Sequence, residues 1–201
     1  MKKVFIATSR EVGHQCLAWA QKNTPNGFII VENMSNADII ISVMYENIIS
    51  VEVVKSKKCY NFHPGILPEY KGSGIFSWVL INGENKFGIT LHIMDKGVDT
   101  GDIIEVREFL ISKEDTAFSL YKKNEKMIFK MFKNWYNDLL LEDFIATPQK
   151  KNKGNYYLKK DLQKAKNLTK FIKAFHFPGK EPVYFVNNKG KKIYLNYKEG
   201  E

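Results

Sequence analysis

The chain has 201 residues, a net charge of +9, 44% hydrophobic and 26% charged residues. That apolar content supplies a buried core and excludes a disordered chain, and the length suits one main domain with a small appendage. No apolar run approaches the ~20 residues of a membrane helix. Met1-Lys2-Lys3-Val4 leads into a strand rather than a signal peptide, so a cytoplasmic protein without membrane contact is expected.

Lys3–Thr8 reads as the first strand, and Glu11–Lys22 as a helix with Val12, Cys16, Leu17 and Ala20 at helical spacing. Pro25-Asn26-Gly27 ends it, and Phe28–Val31 is strand-like. Asp38–Val43 predicts a buried strand, Glu46–Lys55 a short helix, and Lys58–Phe62 a strand that delivers Asn61 and His63 at its end. Gly74–Asn82 is apolar nearly all round and predicts a buried helix. Gly88–Met94 and Ile103–Leu110 predict a hairpin about the Lys96–Asp102 turn. Thr116–Leu141 predicts a long amphipathic helix capped by Asp115 or Thr116. Lys150–Asn155 reads as a polar linker and Leu162–Ala174 as a helix. Val183–Val186 and Lys192–Tyr197 follow as a hairpin turned at Asn187-Asn188-Lys189-Gly190. Strands alternating with helices predict an α/β fold: a Rossmann-like, mostly parallel sheet flanked by helices, with a C-terminal helix and β-hairpin appendage. The boundary is expected at residue 150, with a core unit over 1–150 and a tail over 151–201.

The charge is uneven. Residues 1–110 hold 11 Lys and Arg against 12 Asp and Glu, and residues 111–201 hold 20 against 10. A basic half attracts anionic partners such as nucleic acid, a diphosphate-bearing substrate or an acidic surface. A plain solvated face, in a chain with 29 Lys and 2 Arg, is the favoured account of it. Cys16 and Cys59 lie in apolar segments without metal-type spacing and read as small buried hydrophobes; no metal centre is expected.

The chemistry is concentrated between Cys59 and Ile104. Asn61 and His63 share one face at a strand end, and Asp99 sits in a Gly-flanked turn, where α/β folds place ligands. An Asn amide is a fixed neutral donor suited to a developing oxyanion. A His titrates near neutrality, and a nearby Asp orients it and raises its pKa. Asn61, His63, Pro64, Leu67, Pro68, Tyr70, Gly72, then Asn82-Gly83-Glu84, then Gly97, Asp99, Thr100, Gly101 and Asp102 follow one another at set spacing. This order resembles the catalytic core of the folate-dependent formyltransferases. Gly65 replaces the family's usual Ser.

That resemblance implies transfer of a formyl group from N10-formyltetrahydrofolate to an amine, without a metal. It implies His63 as base or charge holder, Asn61 as oxyanion partner, and Asp99 as orienting and proton-shuttling carboxylate. It implies a pterin ring between Ser42-Val43-Met44-Tyr45 and the Met94–Asp99 loop, with Met94, Asp95, Gly97, Val98 and Asp99 presenting mostly backbone groups. Tyr70, Lys71 and Gly72 would face the substrate. The stretch before Asn61 is short for the family, as if one βα unit were trimmed. The tail, with Phe171–Phe185 and Gly190–Leu195, looks like the ending of sugar-nucleotide N-formyltransferases. A nucleotide-linked (UDP- or dTDP-) amino-deoxy sugar is therefore the expected acceptor, serving surface glycans, lipopolysaccharide or nonulosonic acids such as pseudaminic acid. A methionyl-tRNA enzyme would carry a full β-barrel, and 47 residues follow Gly154. A nucleic-acid partner is accordingly not expected. A formyltetrahydrofolate deformylase would carry a regulatory domain. A non-catalytic paralogue that binds folate or a sugar nucleotide would lack a triad residue, and all three are present. The Phe- and Tyr-rich tail suggests a homodimer.

Overall fold

A computed structural model describes residues 1–150, 153–164, 168–186 and 190–195. The elements run β1 (Lys2–Thr8), α1 (Glu11–Asn23), β2 (Phe28–Ile30), β3 (Ile39–Val43), α2 (Val51–Ser56), β4 (Lys58–His63), β5 (Tyr70–Gly72) and α3 (Ile75–Asn82). They continue with β6 (Lys86–Ile93), β7 (Ile103–Leu110), α4 (Ala117–Leu141), β8 (Asn155–Tyr157), α5 (Leu168–Ala174), β9 (Val183–Val186) and β10 (Lys192–Leu195). A six-stranded sheet has the order β2-β1-β3-β4-β6-β7. Its first four strands are parallel, and β6 and β7 are antiparallel to their neighbours. This is the expected α/β architecture.

All five residues of β3 are buried, because both faces of that central strand are covered. On one face Ile39, Ile41 and Val43 join Val4, Ile6, Tyr60, Phe62 and Leu91 beneath α1 and α4. On the other, Ile40 packs with Ala7, Ala37, Ile49 and Cys59, against Val53 and Val54 of α2. Both cysteines are free and buried, as expected of small hydrophobes. Thr116 caps α4 in a reciprocal box with Ser119, a feature worth ~1 kcal/mol. The helix then buries Leu120, Ile128, Met131, Phe132, Leu139 and Leu140 along one stripe. A second cluster seats α3 on Phe87, Leu120 and Ala174, and Ser77 Oγ donates to the Ala174 carbonyl at 2.6 Å, which docks α5 there. Among the described residues no helix is long and apolar enough to cross a membrane.

Three elements differ from the sequence expectation. The helix expected from Glu46 begins at Val51, because Glu46 is held as loop by the Arg10 guanidinium and by Ser9 Oγ, which accepts from its N–H at 3.2 Å. Leu162–Ala174 divides into a 3₁₀ turn at Lys159–Lys164 and α5; residues 165–167 lie outside the described part. β5 and β8 form where no strand was expected, and they pair in parallel, Tyr70 with Asn155 and Gly72 with Tyr157. Three-residue strands are too short to show a period. The tail hairpin forms with Val183 opposite Leu195; its turn at 187–189 and Tyr197 lie outside the described residues.

Candidate active site

β4 places Asn61 and His63 on the same face, since side chains two apart in a strand point the same way. The antiparallel neighbour β6 sets His92 opposite Asn61 and Thr90 opposite His63. Thr90 Oγ1 donates to the Gly65 carbonyl at 2.7 Å and accepts from Leu67 N–H at 3.0 Å, which fixes the loop after His63. After β6 the chain folds back: Ile93 N–H donates to the Asp102 carbonyl at 2.9 Å, closing a loop over 94–101. Within it Asp95 Oδ1 accepts from Gly97 N–H at 3.0 Å and from Thr100 Oγ1 at 2.5 Å.

Asp99 stands in the left-handed region at φ 54°, which costs a non-glycine residue ~1 kcal/mol or more and persists only when its surroundings over-determine it. Gln149 supplies that restraint, donating from Nε2 to the carbonyls of Asp99 at 3.1 Å and Gly101 at 2.7 Å. The Asp99 carboxylate thereby reaches His63 Nδ1 at 3.4 Å and His92 Nε2 at 3.5 Å, with Oδ2 accepting from Gly72 N–H at 2.9 Å. Asn61 Nδ2 lies 3.2 Å from His92 Nε2 and 3.4 Å from Asp99 Oδ1. Asn61, His63 and Asp99 are thus one contiguous cluster, as the motif spacing led us to expect, with His92 as a fourth member.

The two ring tautomers follow from backbone acceptors. His63 Nε2 lies 2.6 Å from the Tyr70 carbonyl, so the proton of the neutral ring sits there and the Nδ1 lone pair faces Asp99. His92 Nδ1 donates to the Ile93 carbonyl at 2.8 Å, leaving Nε2 to accept from the Asn61 amide. Burial lowers the pKa of His63, which is 3% exposed, and the nearby Asp99 charge only partly opposes this. The sequence expectation was that Asp99 raises it; the desolvation of a fully enclosed ring outweighs that attraction. Burial would also raise the Asp99 carboxyl, but a charged His63, the hydrogen bonds from His92 and Gly72 and the charge on His92 hold it at about 2. The downward shift of Asp99 assumes protons on His63 Nδ1 and His92 Nε2 that the neutral tautomers above do not carry. The enclosed ring is neutral at rest, and the carboxylate stabilises the imidazolium when one forms.

A short strand ties this cluster to the tail. The Tyr70 carbonyl and Gly72 N–H point from one edge of β5 to His63 and Asp99. From the other edge, the Glu69 carbonyl accepts from Asn155 N–H at 3.1 Å and Ser73 N–H donates to the Tyr157 carbonyl at 2.9 Å. Gly72, at φ 94°, has no room for a Cβ against the Tyr157 carbonyl. Gly65 is equally confined: a Cβ there would stand 2.6 Å from His63 Nε2 and 2.8 Å from the Tyr70 oxygen, so the Ser usual at this place does not fit this loop geometry.

The expected ring-binding segments flank β4. Ser42 and Val43 are buried at the end of β3 beside Asn61 and Phe62. Met44 follows at φ 51°; it and Asp99 are two of the three non-glycine residues with positive φ among those described. Tyr45 and Met94 pack against the apolar cluster of Ile40, Ile49 and Cys59, Gly97 lies in the Asp95 turn, and Val98 is exposed. The Tyr70 ring turns inward, its hydroxyl donating to Glu84 Oε1 at 2.6 Å and accepting from Asn82 Nδ2 at 2.9 Å. Lys71 Nζ donates to the Lys153 carbonyl at 3.1 Å. Sequence reasoning passed over His92 and Gln149. The signal for His92 was present: Thr90 and His92 are polar residues two apart in an otherwise apolar strand, hence on one face. Gln149 carries no comparable signal. Among the described residues no group of three or more His, Cys, Asp or Glu is arranged to hold a metal ion.

The family described as formyl transferase matches residues 8–133. A methionyl-tRNA formyltransferase of Alkaliphilus oremlandii is 35% identical over 138 residues, covering 67% of this chain and 44% of its own length. The chain spans less than half the length of the curated relatives it matches. Among solved structures, a 4-N formyltransferase from Francisella tularensis superposes with a TM-score of 0.87 at 21% identity, covering 100% of this chain and 98% of that one. The formyltransferase PseJ from Anoxybacillus kamchatkensis, in complex with UDP-4,6-dideoxy-4-formamido-L-AltNAc and tetrahydrofolate, superposes with a TM-score of 0.66 at 26% identity, covering 82% of this chain and 89% of that one.

Proposed function

The chain belongs to the formyl transferase family, and on that premise we propose that it moves a formyl group from N10-formyltetrahydrofolate to the primary amine of a nucleotide-linked amino-deoxy sugar. The observation that carries the chemistry is the His63 tautomer. With Nε2 bonded to the Tyr70 carbonyl at 2.6 Å, the basic lone pair is on Nδ1, beside Asp99. The depressed pKa keeps that lone pair available at neutral pH.

The bound donor supplies an activated formyl carbon. As the amine nitrogen bonds to that carbon, His63 Nδ1 takes the amine proton and becomes an imidazolium paired with Asp99 Oδ1 at 3.4 Å. Asn61 turns an N–H toward the oxygen that gains negative charge; its present contacts of 3.2 and 3.4 Å are long enough to yield at small cost. The bond to N10 then breaks, and His63 returns the proton to the departing nitrogen. Met44 and Asp99, both held in the left-handed region, bracket the place for the pterin ring, which is where backbone strain would serve ligand binding.

The acceptor reading is supported by the UDP-linked sugar in the Anoxybacillus structure, which superposes on 82% of this chain. On this reading the enzyme works in the cytoplasm as a homodimer, in surface-glycan or nonulosonic-acid synthesis. The test is an acceptor screen with N10-formyltetrahydrofolate against UDP- and dTDP-linked 3- and 4-amino sugars, followed by mass spectrometry. Formylation of at least one is expected. Formylation of methionyl-tRNA alone, or hydrolysis of the donor alone, would overturn the acceptor reading.

A further inference from the structure

α4 carries a charge pattern that the catalytic chemistry does not use. Lys122, Lys126, Lys130 and Lys133 are all exposed and follow one another at spacings of four, four and three residues. That spacing keeps them on one side of the helix, over about 17 Å of its length. Lys122 is paired with Glu125 at 2.7 Å, and the adjoining Lys123 with Asp115 at 2.6 Å. Lys126, Lys130 and Lys133 form no ion pair among the described residues, and Lys133 Nζ stands 4.8 Å from the centre of the Phe129 ring.

The same side of the helix ends in apolar residues. Leu141 follows Lys133 by two steps of four residues, through the exposed Asn137, and is 63% exposed. Just past the helix Phe144 packs edge-on against Tyr60, and its neighbour Ile145 is 89% exposed. The acids near this end, Asp138, Glu142 and Asp143, all come after the last lysine, and Glu142 is held by Lys58 at 2.8 Å. Lysines alone describe a solvated face. Lysines that lead into two exposed aliphatic side chains match a surface with anionic groups above an apolar layer. The place in the fold suits such a contact. Ile128, Met131 and Phe132 of α4 pack with Phe62, Ile89 and Leu91. Asn61, His63 and His92 alternate with those strand residues and face the other side of the sheet. The outer side of α4 therefore points away from the catalytic cluster, and covering it leaves that cluster open.

We infer that the outer side of α4 docks on an anionic phospholipid surface, with Lys122, Lys126, Lys130 and Lys133 at the headgroups and Leu141 and Ile145 in the layer below. A run of basic residues on one helix side, long stems reaching outward, is the pattern that such a surface attracts. A nucleic acid would engage the lysines but not the aliphatic pair. The aromatic rings of α4 that could stack on bases are buried or half-buried. The expectation of a chain without membrane contact came from the lack of a spanning run, which docking on a surface does not need. The inference goes beyond the proposed function and does not depend on the acceptor.

The test is flotation of the full chain with vesicles of phosphatidylcholine alone and of phosphatidylcholine mixed with phosphatidylglycerol. Binding to the mixed vesicles, none to the neutral ones, and release by raised salt are expected. Replacing Lys126, Lys130 and Lys133 together by Gln should weaken binding about a hundredfold, from about fivefold per lysine. Leu141→Gln with Ile145→Gln should weaken it about tenfold. A charge-matched control, Lys55→Gln with Lys86→Gln and Lys113→Gln, removes three exposed lysines elsewhere and should weaken it less than about tenfold. All three variants should keep the wild-type melting temperature and formyl transfer in solution, since none of these positions is buried. The inference is overturned if the mixed vesicles are not bound, or if the neutral ones are bound as well. It is also overturned if either α4 variant binds like wild type, or if the control loses as much as the lysine variant. Binding of tRNA or duplex DNA through the same lysines, without vesicle binding, would replace it with a nucleic-acid contact.

Discussion

Replacing Asp99 by Asn keeps the shape of the side chain and removes its charge, which separates two effects of one carboxylate. The first is on stability. The fall of its pKa from 3.8 to about 2 corresponds to about 2 kcal/mol at 1.36 kcal/mol per unit. The shares contributed by protonated His63 and His92 are missing where both rings hold the neutral tautomers described above, so about 2 kcal/mol is an upper bound. Asp99→Asn is therefore expected to cost about 1–2 kcal/mol, a melting-temperature drop of a few degrees for a chain of this size. A depressed carboxyl stabilises the fold above its unfolded value and loses that contribution as pH falls. The gap between wild-type and variant melting curves should accordingly narrow from about pH 4 toward about pH 2. His63 adds a pH dependence to both proteins: its lowered pKa means that the unfolded chain protonates first, so stability declines as pH drops through about 6.5, and over a wider range in the variant, where the attracting charge is gone.

The second effect is on rate. An Asn at position 99 can present its NH₂ to His63 Nδ1 and occupy the lone pair that takes the amine proton. Transfer should fall by at least ~10²-fold. Stopped assays of formyl transfer across pH 4–9 also read the acid limb. In wild type that limb lies below about 6.5, because burial lowers His63. With the attracting charge gone, it moves lower still. Transfer within threefold of wild type, an acid limb that moves upward, or a melting gap that persists undiminished at pH 2 would refute the assignment.

His92→Phe fills the same buried place without an acceptor for the Asn61 amide; kcat should fall by about tenfold with the formyl-folate KM little changed, and an unaltered kcat would show that His92 does not orient Asn61. Gly72→Ala forces a Cβ onto the Tyr157 carbonyl at φ 94°. It should lower stability by about 1–3 kcal/mol and reduce transfer together with it, read by melting and turnover on the same samples. Gln149→Ala removes both donors that hold the Asp99 and Gly101 carbonyls. The formyl-folate KM should rise severalfold and the loop amides should exchange faster with deuterium; unchanged exchange at 94–101 would contradict that role.

The sheet and long helices were legible because their apolar periods are long: five consecutive buried residues in β3, and the stripe from Leu120 to Leu140 in α4. The triad was legible because three chemically unusual residues stand at fixed offsets from Pro and Gly. The tautomer of His63 was not, since it depends on the carbonyl of Tyr70, and every residue has a carbonyl. The direction of the His63 pKa shift was missed for a related reason: a charge partner can be read from a motif, but the completeness of burial depends on how β5 and the Asp99 loop close over the ring. β5 and β8 escaped notice because a parallel pairing of three residues, 85 positions apart, leaves no local pattern.

That unnoticed pairing limits how the protein can be rebuilt. Residue 150 looks like a natural breakpoint for exchanging the tail with that of another enzyme to change the acceptor. A graft there would also exchange one rail of the β5–β8 ladder, whose other rail holds the His63 proton and the Asp99 carboxylate in place. On the proposed function, acceptor range and proton chemistry are mechanically joined, so a working chimera has to retain Gly154 to Tyr157 and vary only what lies outside them.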